Sequence, residues 1–353
     1  MSQSLPQRGT HNHLVDVRGI QVGHFNQVGQ GWLSGTTVIL PPSGSVGGVD
    51  VRGGGPGTRE TDCLHPTTMV NTVDAICLSG GSAYGLDAAG GVVRWLAEHQ
   101  RGLKIGTEPH HVVPIVPAAV LFDLGAGGDF KSQPNHEFGW RACSAACDTE
   151  TRMGNVGAGT GARSGGLKGG VGAASVVLTN GITIAALVAL NSAGSPIDQK
   201  DGTLLGARYG ISDEFQFLRT PSTDEVRTWR ETPRVPPPLN TTLTVIATDA
   251  RLTKPECSRL ASAGHDGMAR AISPIHLYTD GDTSFALATG ERDFPVGESP
   301  KGAIRTADER IFKVNELITA SADCVARAIV HAMLAATSVG GWTAYRDRFP
   351  SAF

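Results

Sequence analysis

The chain has 353 residues, 46 of them glycine and 20 proline. Glycine is about twice its usual ~7% share and follows no three-residue period, which excludes collagen. Hydrophobic residues make up 40%, enough for a sizeable core, and 30 Lys+Arg against 33 Asp+Glu leave a net charge of −3. That balance excludes whole-chain disorder and shows no basic stripe for nucleic acid.

Residues 1–13 are polar and read as a frayed start. The stretch from Met1 to Gly23 holds no apolar segment of the secretory type. The longest apolar run, 182–190, is well short of the ~20 residues of a membrane span. Six cysteines, at 63, 77, 143, 147, 257 and 324, include no C-x-x-C pair and read as reduced thiols. Cys143 and Cys147, four apart, are expected on one helical face. A soluble, cytoplasmic protein with no membrane or nucleic-acid partner is the expectation.

A strand is predicted over 36–40, stopped by Pro41-Pro42. A glycine-dense stretch fills 47–57. Residues 75–78 read as a buried strand, followed by the loop Ser79-Gly80-Gly81-Ser82-Ala83-Tyr84-Gly85. The spacing of Leu86, Ala89, Val93, Leu96 and Ala97 predicts a helix over 86–99. Residues 112–122 form an apolar strand region interrupted by Pro114 and Pro117, and a second glycine loop spans 154–161. Residues 174–178 and 182–190 read as a hairpin around Thr179-Asn180-Gly181, with Asn-Gly supplying a tight primed turn.

Residues 199–238 are charged, lack a long apolar face and end in Val235-Pro236-Pro237-Pro238, so they read as a linker or surface loop. A strand follows over 243–247. Thr253-Lys254-Pro255-Glu256 is a capping box that opens a helix to about residue 272. A strand over 284–288 and a long helix over 315–336 complete a pattern of α+β or layered α/β type.

Most familiar motifs are incomplete. The stretch Gly161 to Lys168 misses a phosphate loop by one place. Gly80-Gly81-Ser82-Ala83-Tyr84 has Tyr where a nucleophile elbow needs its second glycine. His136-Glu137 opens a zinc-helix motif, but position 140 is Trp. No metal site or cofactor is expected.

One position carries chemistry. Asn240-Thr241-Thr242 joins the loop directly to a strand. A threonine hydroxyl becomes a useful nucleophile beside a base, and the nearest base is its own α-amine, which titrates near ~8. Cleavage of the Asn240–Thr241 bond would free that amine. Taken alone, a strand start by two β-branched residues accounts for Thr241-Thr242 more simply.

Six stretches resemble the L-aminopeptidase/D-esterase family, which includes the β-aminopeptidases and the nylon-oligomer hydrolase. They are Asp16-Val17-Arg18-Gly19-Ile20-Gln21-Val22-Gly23-His24, Ala75-Ile76-Cys77-Leu78-Ser79-Gly80-Gly81-Ser82-Ala83-Tyr84-Gly85-Leu86-Asp87-Ala88, the 154–161 loop, Ala189-Leu190-Asn191, Asn240-Thr241-Thr242 and Thr279-Asp280-Gly281-Asp282-Thr283. The resemblance implies an α+β four-layer αββα sandwich, similar to N-terminal-nucleophile hydrolases and to ornithine acetyltransferase. It implies one catalytic domain over 1–353, cut into a 1–240 α chain and a 241–353 β chain, and a homotetramer of such αβ units.

By the same resemblance Thr241 is the nucleophile of a self-cleaving aminopeptidase or amidase acting on small peptides, amides or esters. Asn191 resembles the oxyanion donor, and Asp280 and Asp282 the acids that orient the nucleophile's amine. Ser82, Tyr84 and Phe122 are expected near the substrate. Acyl transfer of the ornithine acetyltransferase kind, or a processed scaffold of weak activity, are the alternatives. The chain departs from its relatives in two places. Phe122 stands where some carry a tyrosine, and the family lysine near position 166 has Lys168 as its nearest counterpart.

Overall fold

In the computed structural model, residues 5–233, 239–294 and 309–353 are described. The strands in chain order are β1 (Gln21–Gly29), β2 (Trp32–Leu40), β3 (Val46–Val51), β4 (Thr58–Arg59), β5 (Ile76–Ser79), β6 (Leu103–Lys104), β7 (Val112–Val113), β8 (Ala118–Val120), β9 (Arg163–Ser164), β10 (Leu167–Lys168), β11 (Gly170–Val177), β12 (Thr183–Leu190), β13 (Leu243–Ala250) and β14 (Thr283–Arg292). The α-helices are α1 (Ala88–Glu98), α2 (His136–Ser144), α3 (Thr223–Glu231), α4 (Lys254–Ala271), α5 (Glu309–Ala335) and α6 (Tyr345–Arg348).

Two five-stranded sheets stack face to face, ordered β1-β2-β5-β8-β4 and β11-β12-β13-β14-β3. Period-two alternation divides each central strand between two cores. On β12, Ala185, Leu187 and Ala189 pack between the sheets with Ile39, Ile76 and Leu78. The alternate residues Ile184, Ala186, Val188 and Leu190 pack outward with Met268 of α4 and Ile329 and Met333 of α5. On the far side, Val38 and Cys77 pack against Val92 and Leu96 of α1 and Ala142 of α2. Three cores between four layers give the expected αββα sandwich. Helix α5 spends its apolar face in this core, with Ala328, Ile329 and Met333 fully buried.

The topology fixes one end of the second sheet. Strands β13 and β14 run parallel with Leu243 opposite Thr283, joined through α4. Strand β12 runs antiparallel to β13 with Ala189 opposite Leu243. The residues just before β13, just before β14 and just after β12 therefore share one edge. These are 240–242, 280–282 and 191.

Several expectations are corrected. The hairpin turn is not primed. Gly181 has φ +81 while Asn180 is not left-handed. Gly181 N donates to Leu178 O at 2.9 Å and Leu178 N to Ile182 O at 2.8 Å. This is a three-residue loop, a turn closed by a left-handed glycine. The stretch 199–233 is not an open linker: it carries α3, whose capping box is Ser222–Glu225, and buries Val226 and Trp229. With Leu204 and Phe215, also buried, these side chains anchor it to the outer core. Val235-Pro236-Pro237-Pro238 lies outside the described residues. Residues 7–13 are anchored rather than frayed, since Gln7 exchanges both backbone hydrogen bonds with Val177 and His13 is fully buried. Helix α2 ends at Ser144, and Cys147 instead pairs with Val22 beyond it.

Candidate functional site

The Asn240–Thr241 peptide sits at that sheet edge, with Asn240 and Thr241 2% and 4% exposed. Asn240 bridges Asp280 in parallel, and its amide reaches Thr279 O. Thr241 Oγ1 donates to the Asn240 carbonyl at 2.6 Å. Gly281 N donates to the same oxygen at 2.9 Å. Thr241 N donates to Asn191 O at 2.8 Å, and Asn240 Nδ2 donates to that carbonyl at 3.1 Å. The hydroxyl, the carbonyl it adjoins and a backbone donor on that carbonyl thus converge.

The two acids hold the loop in different ways. Asp282 Oδ1 accepts from Thr242 N at 2.7 Å, and its Oδ2 accepts from His276 N at 3.2 Å and Nδ1 at 2.9 Å. Asp280 Oδ2 accepts from Leu277 N at 2.9 Å, while its Oδ1 is buried with no hydrogen-bond partner among the described residues. Burial, and then the neighbouring Asp282 charge, push Asp280 up to about 6. The 47–57 glycine stretch buttresses this loop from behind, Gly55 N donating to Asp280 O at 2.8 Å and Arg52 N to Asp282 O at 3.0 Å.

Asn191 is fully buried. Its Oδ1 accepts from Arg163 N at 2.8 Å and its Nδ2 donates to Phe122 O at 3.1 Å. In this chain, then, the donor on the Asn240 carbonyl is Gly281 N, and the Asn191 amide turns to Phe122. Phe122 follows β8 in the other sheet. Ser82 follows β5 there, its amide donating to Leu121 O at 2.9 Å. Ser82 has φ +51 and Tyr84 is 58% exposed.

Lys168 is fully buried, and Nζ donates to the carbonyls of Gly159, Ala162 and Gly169 at 2.8–2.9 Å. Three acceptors take all three protons of an ammonium. Burial, opposed by Asp123, lowers its pKa to about 7. Its ammonium braces the glycine loop rather than Thr241.

A cavity of about 780 Å³ opens beside Asn240, lined also by Arg163, Ser192, Thr279, Trp342 and Arg348. Ser82, Tyr84 and Phe122 do not line it. No group of three or more metal-ligating side chains occurs among the described residues.

Sequence reasoning named Thr241, Asn240, Asn191, Asp280 and Asp282, which the fold brings together. It missed Gly281, His276 and Arg163. Gly281 was legible as the small residue between two acids. His276 belongs to no motif although it meets Asp282 six residues on, and the partner of Arg163 is made by topology.

A family model described as peptidase family S58 matches residues 12–346. An uncharacterized aminopeptidase of Mycobacterium leprae (strain TN) is 47% identical over 362 residues, covering 97% of this chain and 95% of its own length. A 6-aminohexanoate-oligomer endohydrolase of Paenarthrobacter ureafaciens is 32% identical over 307 residues, covering 82% of this chain and 79% of its own. Among solved structures, a Burkholderia sp. beta-aminopeptidase is similar with a TM-score of 0.69 at 25% identity, covering 98% of this chain and 93% of that one. An L-aminopeptidase D-Ala-esterase/amidase of Ochrobactrum anthropi, described as a variant of the Ntn hydrolase fold, has a TM-score of 0.68 at 23% identity over 97% and 91%. The similarity over nearly the whole length leads to one conclusion: the chain belongs to peptidase family S58.

Proposed function

We propose that this protein cuts itself at Asn240–Thr241 and then acts as an aminopeptidase or amidase with Thr241 as its nucleophile. The observation that carries the reading is the convergence of Thr241 Oγ1 and Gly281 N on the Asn240 carbonyl oxygen, at 2.6 and 2.9 Å.

In the first stage Oγ1 adds to the Asn240 carbonyl carbon. The oxygen that becomes negative already holds the Gly281 N–H, a preformed donor of the kind worth ~10²–10³ in rate. Collapse breaks the C–N bond, the proton released by Oγ1 passes to the leaving nitrogen, and the acyl group is left on Oγ1 beside a free Thr241 amine. Water then hydrolyses the ester.

In the second stage the new amine takes the Oγ1 proton, since an α-amine titrates near ~8. Asn191 O, which accepts from Thr241 N at 2.8 Å, supports an amine that still donates there and keeps its lone pair for the hydroxyl. Asp280, as a carboxylate above about 6, stabilises the ammonium formed on proton transfer. Asp282, on the Thr242 amide, fixes the backbone that carries the nucleophile. Ser82, Tyr84 and Phe122 border the substrate from the first sheet. The acyl-threonine is released by water; transfer to an amino acceptor is the competing outcome.

Six unpaired cysteines support a reducing, cytoplasmic setting. The family resemblance supports a homotetramer of αβ units, which light scattering tests. The functional test is a panel of p-nitroanilides of L-, D- and β-amino acids. The wild type should release nitroaniline from at least one, Thr241→Ser should retain measurable activity and Thr241→Ala should lose it. Full activity in Thr241→Ala overturns the reading.

A further inference from the structure

The cavity beside Asn240 has an unusual charge. Its lining includes two arginines, Arg163 and Arg348, and no Asp or Glu among the described residues. Arg163 is 8% exposed, and its Nε and Nη2 are buried with no hydrogen-bond partner among the described residues. The same holds for Nε of Arg348. Trp342 covers the Arg163 guanidinium face at 4.9 Å. A guanidinium cannot shed its charge, so burying one without an anion is costly. Burial lowers the pKa of Arg163, and only the charge of Asp123 opposes it.

Arg163 is also tied to the reacting centre, because its amide holds Asn191 Oδ1 at 2.8 Å. The cavity is lined by Asn240 and Thr279, one on each side of the bridge that carries the candidate chemistry.

We propose that Arg163 and Arg348 receive a carboxylate of the substrate. The preferred substrates are then short peptides whose free C-terminal carboxylate lies close to the bond cut, rather than amides or long chains. A guanidinium fork pairs a carboxylate with two parallel hydrogen bonds. This inference rests on the aminopeptidase reading for its substrate class. The same carboxylate chemistry has a second source, the new C-terminus that self-cleavage makes at Asn240.

The test compares L-Ala-Gly with L-Ala-glycinamide. Calorimetry on the uncut Thr241→Ala chain should show the acid binding about tenfold tighter or more, the gain expected of one or two charge-assisted hydrogen bonds. Adding Arg163→Gln should bring the ratio to about one, and Arg163→Lys, which keeps the charge and controls for folding, should restore part of it. Equal binding of acid and amide, or a preference that survives Arg163→Gln, overturns the proposal. In the mature wild type, kcat/KM should favour the acid by a similar factor. Selectivity in the uncut chain that vanishes in the mature one assigns the pocket to the Asn240 carboxylate and overturns a substrate role. If the wild type hydrolyses neither peptide, the aminopeptidase reading fails, while the binding ratio still decides the arginine proposal.

Discussion

Gly281 N lies 2.9 Å from the Asn240 carbonyl oxygen, in the turn between Asp280 and Asp282. A Cβ at position 281 would sit 2.6 Å from Thr241 Oγ1 and 2.9 Å from Gly55 O. The residue is not left-handed, so the constraint is one of space. One glycine therefore supplies a donor to the carbonyl and makes room for the hydroxyl beside it.

Gly281→Ala should consequently block self-cleavage with the fold retained. Displacing Oγ1 and the donor together should slow the cut by at least ~100-fold, the scale of losing one oxyanion donor. Purified Gly281→Ala should run as one band with native-like circular dichroism. Wild-type processing in this variant contradicts the role.

Asp280 gives a pH prediction. Burial and the Asp282 charge raise it from 3.8 to about 6 in the folded chain. Between those values the folded state holds a proton that the unfolded state has released. Its contribution to stability is thus greatest below about 4, falls as pH rises to about 6 and stays low above it. Asp280→Asn should then raise Tm by about 2–4 °C at pH 8, with a smaller gain at pH 4. Activity should move the opposite way, and the wild-type rate should rise with pH through about 6. A variant less stable than wild type at pH 8 contradicts the buried-charge account.

Away from the site, Glu214 holds the chain start to α5. Its carboxylate accepts from Arg327 Nε at 2.7 Å and Nη2 at 2.9 Å, His331 Nε2 at 2.7 Å and Asn12 Nδ2 at 2.7 Å. Burial alone would raise its pKa, but the His331 and Arg327 hydrogen bonds hold it far below the usual carboxylate range. The stability it adds is present above about 4.5 and is lost as pH falls. Glu214→Gln strands the fully buried Arg327 charge and should cost about 3–5 kcal/mol in urea unfolding at pH 7. A loss of under a third of that contradicts this role.

The sequence made some of this legible and hid the rest for a physical reason. The continuous apolar run of β12, buried on both faces, and the Thr253–Glu256 cap are local patterns. Thr241, Asp280 and Asp282 are recognisable because a short motif carries each. The partners of those residues are made by strand order. Asn191 meets Thr241 because β12 ends where β13 begins, and His276 meets Asp282 across the turn that precedes β14. The 199–233 segment reads as polar because its buried apolar side chains, Leu204, Phe215, Val226 and Trp229, are widely spaced and follow no period. The arginines of the cavity, Arg163 and Arg348, come from opposite halves of the chain and share no motif.

The central claim is the cut at Asn240–Thr241, and intact-mass spectrometry with N-terminal sequencing of the purified protein tests it most directly. The account predicts two chains, 1–240 and 241–353, whose masses add up to the 36.8 kDa of the uncut chain plus one water. The smaller chain should begin Thr-Thr-Leu-Thr. A single 36.8 kDa chain, or a smaller chain that begins at any other residue, would contradict it.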